Sequence, residues 1–147
     1  MRIKDILFGK KKFFETLHLG LFEARVRNER TAEKITWLSV IKIENYSDEI
    51  TILLDGNGYN PKKEQLDSVS WIIKNLKTID NKIIDTINKN PALNEKYKDK
   101  NLFDLRLECI YPWDANLNSY ELSLQSKSDK EFGISVIIQD KELIEIE

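Results

Sequence analysis

The sequence predicts an α+β domain. Its expected architecture is a mostly antiparallel β-sheet, built from strands before and after one long central helix (about 61–90) that packs on one sheet face. Two observations carry that expectation. Apolar and polar residues alternate over 20–27, 103–111, 120–125 and 132–138, a period of two that turns one face to a core and the other to water. Between these segments Leu66, Val69, Ile72, Ile73, Leu76, Ile79, Ile83, Ile84 and Ile87 recur at spacings of mostly three and four. At ~100° per residue they fill an arc of about 140°, wide enough to lie on a sheet.

Taken in order, residues 3–8 and 10–17 read as two strands joined at Gly9, with Lys10-Lys11-Lys12 a solvated turn or an anion-binding patch. Gly20 opens a third, in which Phe22, Ala24 and Val26 oppose Glu23, Arg25 and Arg27. A polar loop follows over 28–34. Ile35–Ile43 is apolar on both sides and belongs near the sheet centre. Asn45–Asp48 turns the chain and 49–54 returns as a strand. The stretch Asp55-Gly56-Asn57-Gly58-Tyr59-Asn60 breaks regular structure. Asn60 then serves as helix N-cap with Pro61 at the first helical position, and Asn90-Pro91 ends the helix. A short second helix is expected within 92–100. The later strands end in a hairpin turned at Asp140-Lys141. No internal repeat or linker divides the chain, so residues 1–147 are expected to form one domain.

Composition excludes several classes. With 41% hydrophobic and 33% charged residues the chain is globular rather than disordered. Lys+Arg 23 against Asp+Glu 25 leaves no basic footprint for a nucleic acid. No apolar run approaches the ~20 residues that cross a bilayer. Charges interrupt the first apolar residues, which argues against a secretory signal. One cysteine, Cys109, permits no intrachain disulfide and fits a reducing compartment, so a cytoplasmic location is expected.

Chemistry is sparse. The glycine-bearing turn superficially matches a calcium loop, but its fifth, sixth and twelfth positions are Tyr59, Asn60 and Leu66. It also lacks the lysine and hydroxyl pair of a phosphate loop. His18 is the only histidine, and Cys109 is expected to point into the core beside Leu107 and Tyr111. Carboxylates are too numerous for any pair of them to be informative. No catalytic constellation, metal or cofactor is expected. Aromatic residues say more. Trp71 lies about 145° around the helix from the centre of the apolar stripe, so it is either roofed by another part of the chain, the 92–102 segment or a loop, or left for a partner. Tyr111-Pro112-Trp113-Asp114 ends a strand at a loop, where such residues form binding surfaces or plug a sheet end. Tyr59 stands beside the expected helix N-terminus, a position that favours anions. The candidate binding residues are therefore Trp71, Tyr111, Trp113, Asp114 and Tyr59.

Leu7-Phe8-Gly9, Leu53-Leu54-Asp55, the long helix, Phe103-x-Leu105-x-Leu107 and Glu131-Phe132-Gly133-Ile134-Ser135-Val136 together make a pattern across most of the chain. It resembles a family of uncharacterised bacterial domains of unknown function, small α+β proteins that include candidate immunity proteins of interbacterial toxin systems. Such families often carry a tryptophan and a histidine where this chain has Phe132 and no histidine. The absent catalytic constellation together with Trp71 and Trp113 points to a non-enzymatic protein-binding module, for which the resemblance implies a toxin-like partner, and a homo-oligomeric structural subunit is a further reading. The alternative is a small ligand-binding or hydrolytic domain with a carboxylate/tyrosine site near the helix N-terminus.

Overall fold

The computed structural model describes residues 2–27 and 34–147. Eight strands form one sheet in chain order: β1 Lys10–Glu15, β2 Leu21–Val26, β3 Ile35–Ile43, β4 Ser47–Gly56, β5 Leu105–Asp114, β6 Ser119–Ser126, β7 Gly133–Gln139 and β8 Glu142–Ile146. Neighbours are antiparallel except β4 and β5, which run parallel. A tight hairpin cannot join parallel strands, so the chain needs a crossover there. The crossover holds α2 Lys63–Lys74, α3 Leu76–Lys89 and α4 Pro91–Tyr97, while α1 Ile3–Phe8 precedes the sheet.

This corrects the expected fold class. The sheet is mixed, and no single long helix spans 61–90. The break is at Asn75, with φ −114° and ψ 20°. Its backbone N–H is shared between the carbonyls of Trp71 and Ile72, and its side-chain Nδ2 donates to Trp71 O at 2.7 Å. A short amide side chain competes for backbone partners in this way and favours helix ends. The apolar stripe hides the interruption, because Val69, Ile72, Leu76, Ile79, Ile83 and Ile87 are buried on both sides of it. They share one core with Phe22, Trp37, Ile50, Ile52, Leu54, Leu107, Ile110, Leu122, Ile134 and Val136 from the sheet.

Three local expectations also change. Residues 3–8 form α1 rather than a strand, since Ile3, Ile6 and Leu7 also fit helical spacing in so short a segment. Arg25 ties α1 to β2 through Asp5 at 3.3 Å and the Gly9 carbonyl at 3.0 Å. The crossover helix begins with Lys62, not Asn60, at its N-cap. Pro61 instead bridges back to Gly56, and Lys62 N donates to Asp55 O at 2.8 Å. Buried Gln65 clamps the same corner, accepting from Asp55 N at 2.7 Å and donating to Asp55 Oδ2 at 3.1 Å. Third, a β-bulge between Leu107 and Cys109 shifts the register against β6. Ile110 rather than Cys109 enters the core, and Cys109 and Tyr111 turn to the other face. The polar loop expected over 28–34 lies, apart from Lys34, outside the described residues.

Candidate binding surfaces

The sheet's second face carries a row that no single segment of sequence reveals. Strand register aligns Phe13 with Glu23, Glu23 with Leu38 and Leu38 with Leu53. One step beyond Ile52/Ile110 in the parallel pair sets Leu53 beside Tyr111. Tyr111 then pairs with Glu121, Glu121 with Ile137 and Ile137 with Glu145. All eight strands contribute. In β2, β4, β6 and β7 the row residue sits between two core residues, and in β3 and β5 it follows Trp37 and Ile110, so the row points away from the crossover helices. Beside the row, Leu21 and Val40 are exposed on the same face. Phe13, Leu38, Leu53, Tyr111 and Ile137 thus form an apolar band interrupted by glutamates.

Trp71 does not lie under 92–102. It is half-buried at a cavity of about 180 Å³ shared with Ser68, Tyr120, Asn118, Asp140 and Lys141. Its cover is the Lys141 ammonium, 5.6 Å from the ring centroid. Lys141 and Asp140 form the turn between β7 and β8, with φ of 69° and 49°. A two-residue hairpin of this hand needs left-handed backbone at both positions. Asn118, also left-handed at φ 49°, accepts from Ser68 Oγ at 3.0 Å and Tyr120 OH at 3.1 Å, and its amide reaches Asp140 at 3.3 Å. These bonds rigidify one wall of the cavity. Lys141→Gly should relieve about 1 kcal/mol of backbone strain while removing a cation–π contact worth about 0.5–1 kcal/mol. Stability should therefore hold within about 0.5 kcal/mol in chemical denaturation. In a Trp113→Phe background, acrylamide should quench the fluorescence of Lys141→Gly more strongly than that of its parent, because Trp71 loses its cover.

The remaining candidates stand apart. Tyr59 is exposed in the 55–60 turn, where Asn57 Oδ1 accepts its backbone N–H at 2.8 Å. That turn lines neither the Trp71 cavity nor the cleft described next. Trp113 is 60% exposed at a second irregularity in β5. Asp114 accepts from Asn116 N at 3.0 Å and so caps the 3-10 turn Ala115–Leu117. Of the five, only Tyr111 belongs to the apolar row.

A cleft of about 350 Å³ was not anticipated. It opens where the β3–β4 turn, α3 and the start of β5 meet, over a floor of Ile83, Ile84, Leu102, Leu105 and Leu124. Tyr46 OH accepts Leu107 N at 2.9 Å and faces Asp80 Oδ1 at 3.5 Å. The Arg106 guanidinium stacks 5.4 Å from the Tyr46 ring, and Arg106 Nη1 donates to the Phe103 and Leu105 carbonyls. Arg106 Nε is buried without a hydrogen-bond partner. Burial pushes the Asp80 carboxyl up to about 6, against the opposing pull of Tyr46 and Arg106. Burial also raises the Tyr46 hydroxyl well above its ordinary range, with Asp80 adding to it. Sequence reasoning passed over these residues because 34 positions separate Tyr46 from Asp80. The only available signal was Asp80, a carboxylate next to the apolar stripe at Ile79.

Cys109 is half-buried, and burial followed by Glu108 and Glu121 pushes its thiol up, which disfavours the nucleophilic thiolate. No group of three or more metal-binding side chains occurs among the described residues. No helix among them is long and apolar enough to cross a membrane. No family model, curated protein or solved structure matches the chain.

Proposed function

We propose that this chain is a non-enzymatic binding module that takes a protein partner on the second face of its sheet. The apolar row across eight strands carries the reading. Contiguous apolar side chains on the sheet face opposite the crossover helices mark an interaction surface. Tyr111 lies within the row, and tyrosine is enriched at interface centres. A toxin-like protein is the partner class that the sequence resemblance implies, and a second copy of the chain is the other.

The test titrates the purified protein against the protein encoded beside it and measures its mass by sedimentation. Leu38→Asp/Tyr111→Asp should abolish the complex without lowering the melting temperature, whereas Trp71→Ala should keep it. Retention of the partner by the double variant would remove the reading. A concentration-dependent dimer lost in the same variant would assign the face to self-association.

The Tyr46–Asp80–Arg106 cleft favours a second reading, a small-molecule site with an apolar floor and a polar rim. It keeps the tyrosine and carboxylate of the alternative expectation but moves them from residue 60 to the β3–β4 turn and the second turn of α3. Saturable fragment binding that Ile84→Trp blocks would support it.

A further inference from the structure

One member of the outward row is out of keeping with its surroundings. Glu121 is only 8% exposed, yet it lies on the face opposite the core, between Tyr111 on β5 and Ile137 on β7. Ile137 is likewise only 5% exposed without joining the core cluster. The two form a shielded spot in the middle of a sheet face. Among the described residues the Glu121 side chain has no hydrogen bond and no ion pair. Among the described residues Arg106 Nε is the one buried side-chain polar atom without a partner, so the Glu121 carboxylate oxygens still reach water and are open to a ligand from outside.

Nothing on the neighbouring strands neutralises it. From Glu108 onward, the outward strand charges on that side are Glu108, Glu121, Glu145 and the terminal Glu147, whose backbone pairs with Ser135. The outward cations of β1 and β2 sit at the far end of the sheet. Lys11 pairs with Glu23 at 3.1 Å and Arg25 with Asp5 at 3.3 Å. The face is therefore an apolar band with an acidic half, and its most shielded carboxylate is unpaired.

We propose that Glu121 receives a lysine or arginine side chain of a basic protein partner, with Tyr111 and Ile137 as the walls that exclude water around the pair. The proposal rests on the reading of this face as a protein-binding surface and specifies the partner's chemistry. A shielded carboxylate gives a strong charge-assisted contact to a guanidinium or ammonium, and a neighbouring aromatic ring adds a cation–π surface. The remaining glutamates attract a positively charged partner at long range and raise its association rate.

Two measurements test it. First, propylguanidinium chloride is titrated into the protein and followed by amide NMR, with propanol as the uncharged control. Saturable shifts centred on Tyr111, Glu121 and Ile137, lost in Glu121→Gln, are expected. Shifts spread evenly over every acidic surface, or unchanged in Glu121→Gln, would overturn the proposal. Second, Glu121→Gln should leave the melting temperature of the free protein unchanged, because the side chain sits on the outward face and makes no bond within the described residues. The same change should weaken a partner complex by roughly thirty-fold or more. A complex that needs Leu38 and Tyr111 but tolerates Glu121→Gln would defeat this inference and leave the protein-binding reading standing. A complex indifferent to all three positions would defeat both.

Discussion

Trp37→Ala should destabilise the protein by about 3–5 kcal/mol, a large share of the roughly 5–15 kcal/mol typical of a whole domain. Trp37 is fully buried on β3, in the layer between the sheet and the helices. Its loss removes an aromatic side chain from the core and leaves a cavity that rigid strands on either side cannot close. The ring has a second role. Its Nε1 donates to Asn57 O at 3.0 Å and so pins the turn that leads into α2. Gly56 packs against the same ring and leaves no space for a side chain, because a Cβ there would overlap the Asn60 carbonyl and the Pro61 Cα. Trp37→Phe keeps most of the packing and removes the indole donor, so a loss of about 1–2 kcal/mol is expected. Urea denaturation followed by circular dichroism measures both. Equal losses for the two variants would show that the hydrogen bond, not the packing, supplies the stability.

Asp80→Asn should stabilise the protein above pH 7 and do nothing below about pH 4. Burial raises the folded carboxyl from 3.8 to about 6, so the folded state holds its proton where the unfolded state has released it. Between about pH 4 and 6 the folded protein therefore binds more protons, and its stability falls as pH rises through that window. Above pH 6 the full cost of a charged Asp80 remains. The displacement corresponds to roughly 3 kcal/mol at ~1.36 kcal/mol per pH unit, and solvent reaching the half-buried carboxyl reduces the expected gain to about 1–2 kcal/mol. Denaturation of wild type and Asp80→Asn at pH 3.5, 5 and 8 should show the difference growing with pH. A constant difference would mean that Asp80 does not titrate in this window. Tyr46→Phe distinguishes the partners, since it removes the hydroxyl that accepts Leu107 N and faces Asp80.

Local patterns were readable where one segment decides its own state. The alternation of Phe22, Ala24 and Val26 with polar neighbours placed β2 and its buried face. Pro91 was expected to end the helix and opens α4 at its first turn, with Asn90 Oδ1 accepting from Ala92 N and Leu93 N. Asp140-Lys141 forms the expected hairpin turn without a glycine. Misreadings arose where one residue shifts a period. The bulge before Cys109 reverses the side-chain alternation of β5, and Asn75 interrupts a helix whose stripe continues undisturbed. Asn75 acts through its own side-chain amide, which bonds back to Trp71 O, and the bulge through the pairing of β5 with β6.

The sequence alone determined that this chain would bury an apolar stripe between two groups of strands, because burial periodicity is a property of neighbours along the chain. It also located Tyr111 as a candidate contact residue. Only the tertiary structure decided that β4 and β5 pair in parallel, that the helix is broken, and that Leu38, Leu53, Tyr111, Glu121 and Ile137 share one row. Register between strands joins residues far apart in sequence, and neither composition nor period encodes it. The unpaired carboxylate of Glu121 follows from that register. Within its own strand it is an ordinary polar residue between Tyr120 and Leu122, and the row gives it shielding walls and withholds a cation.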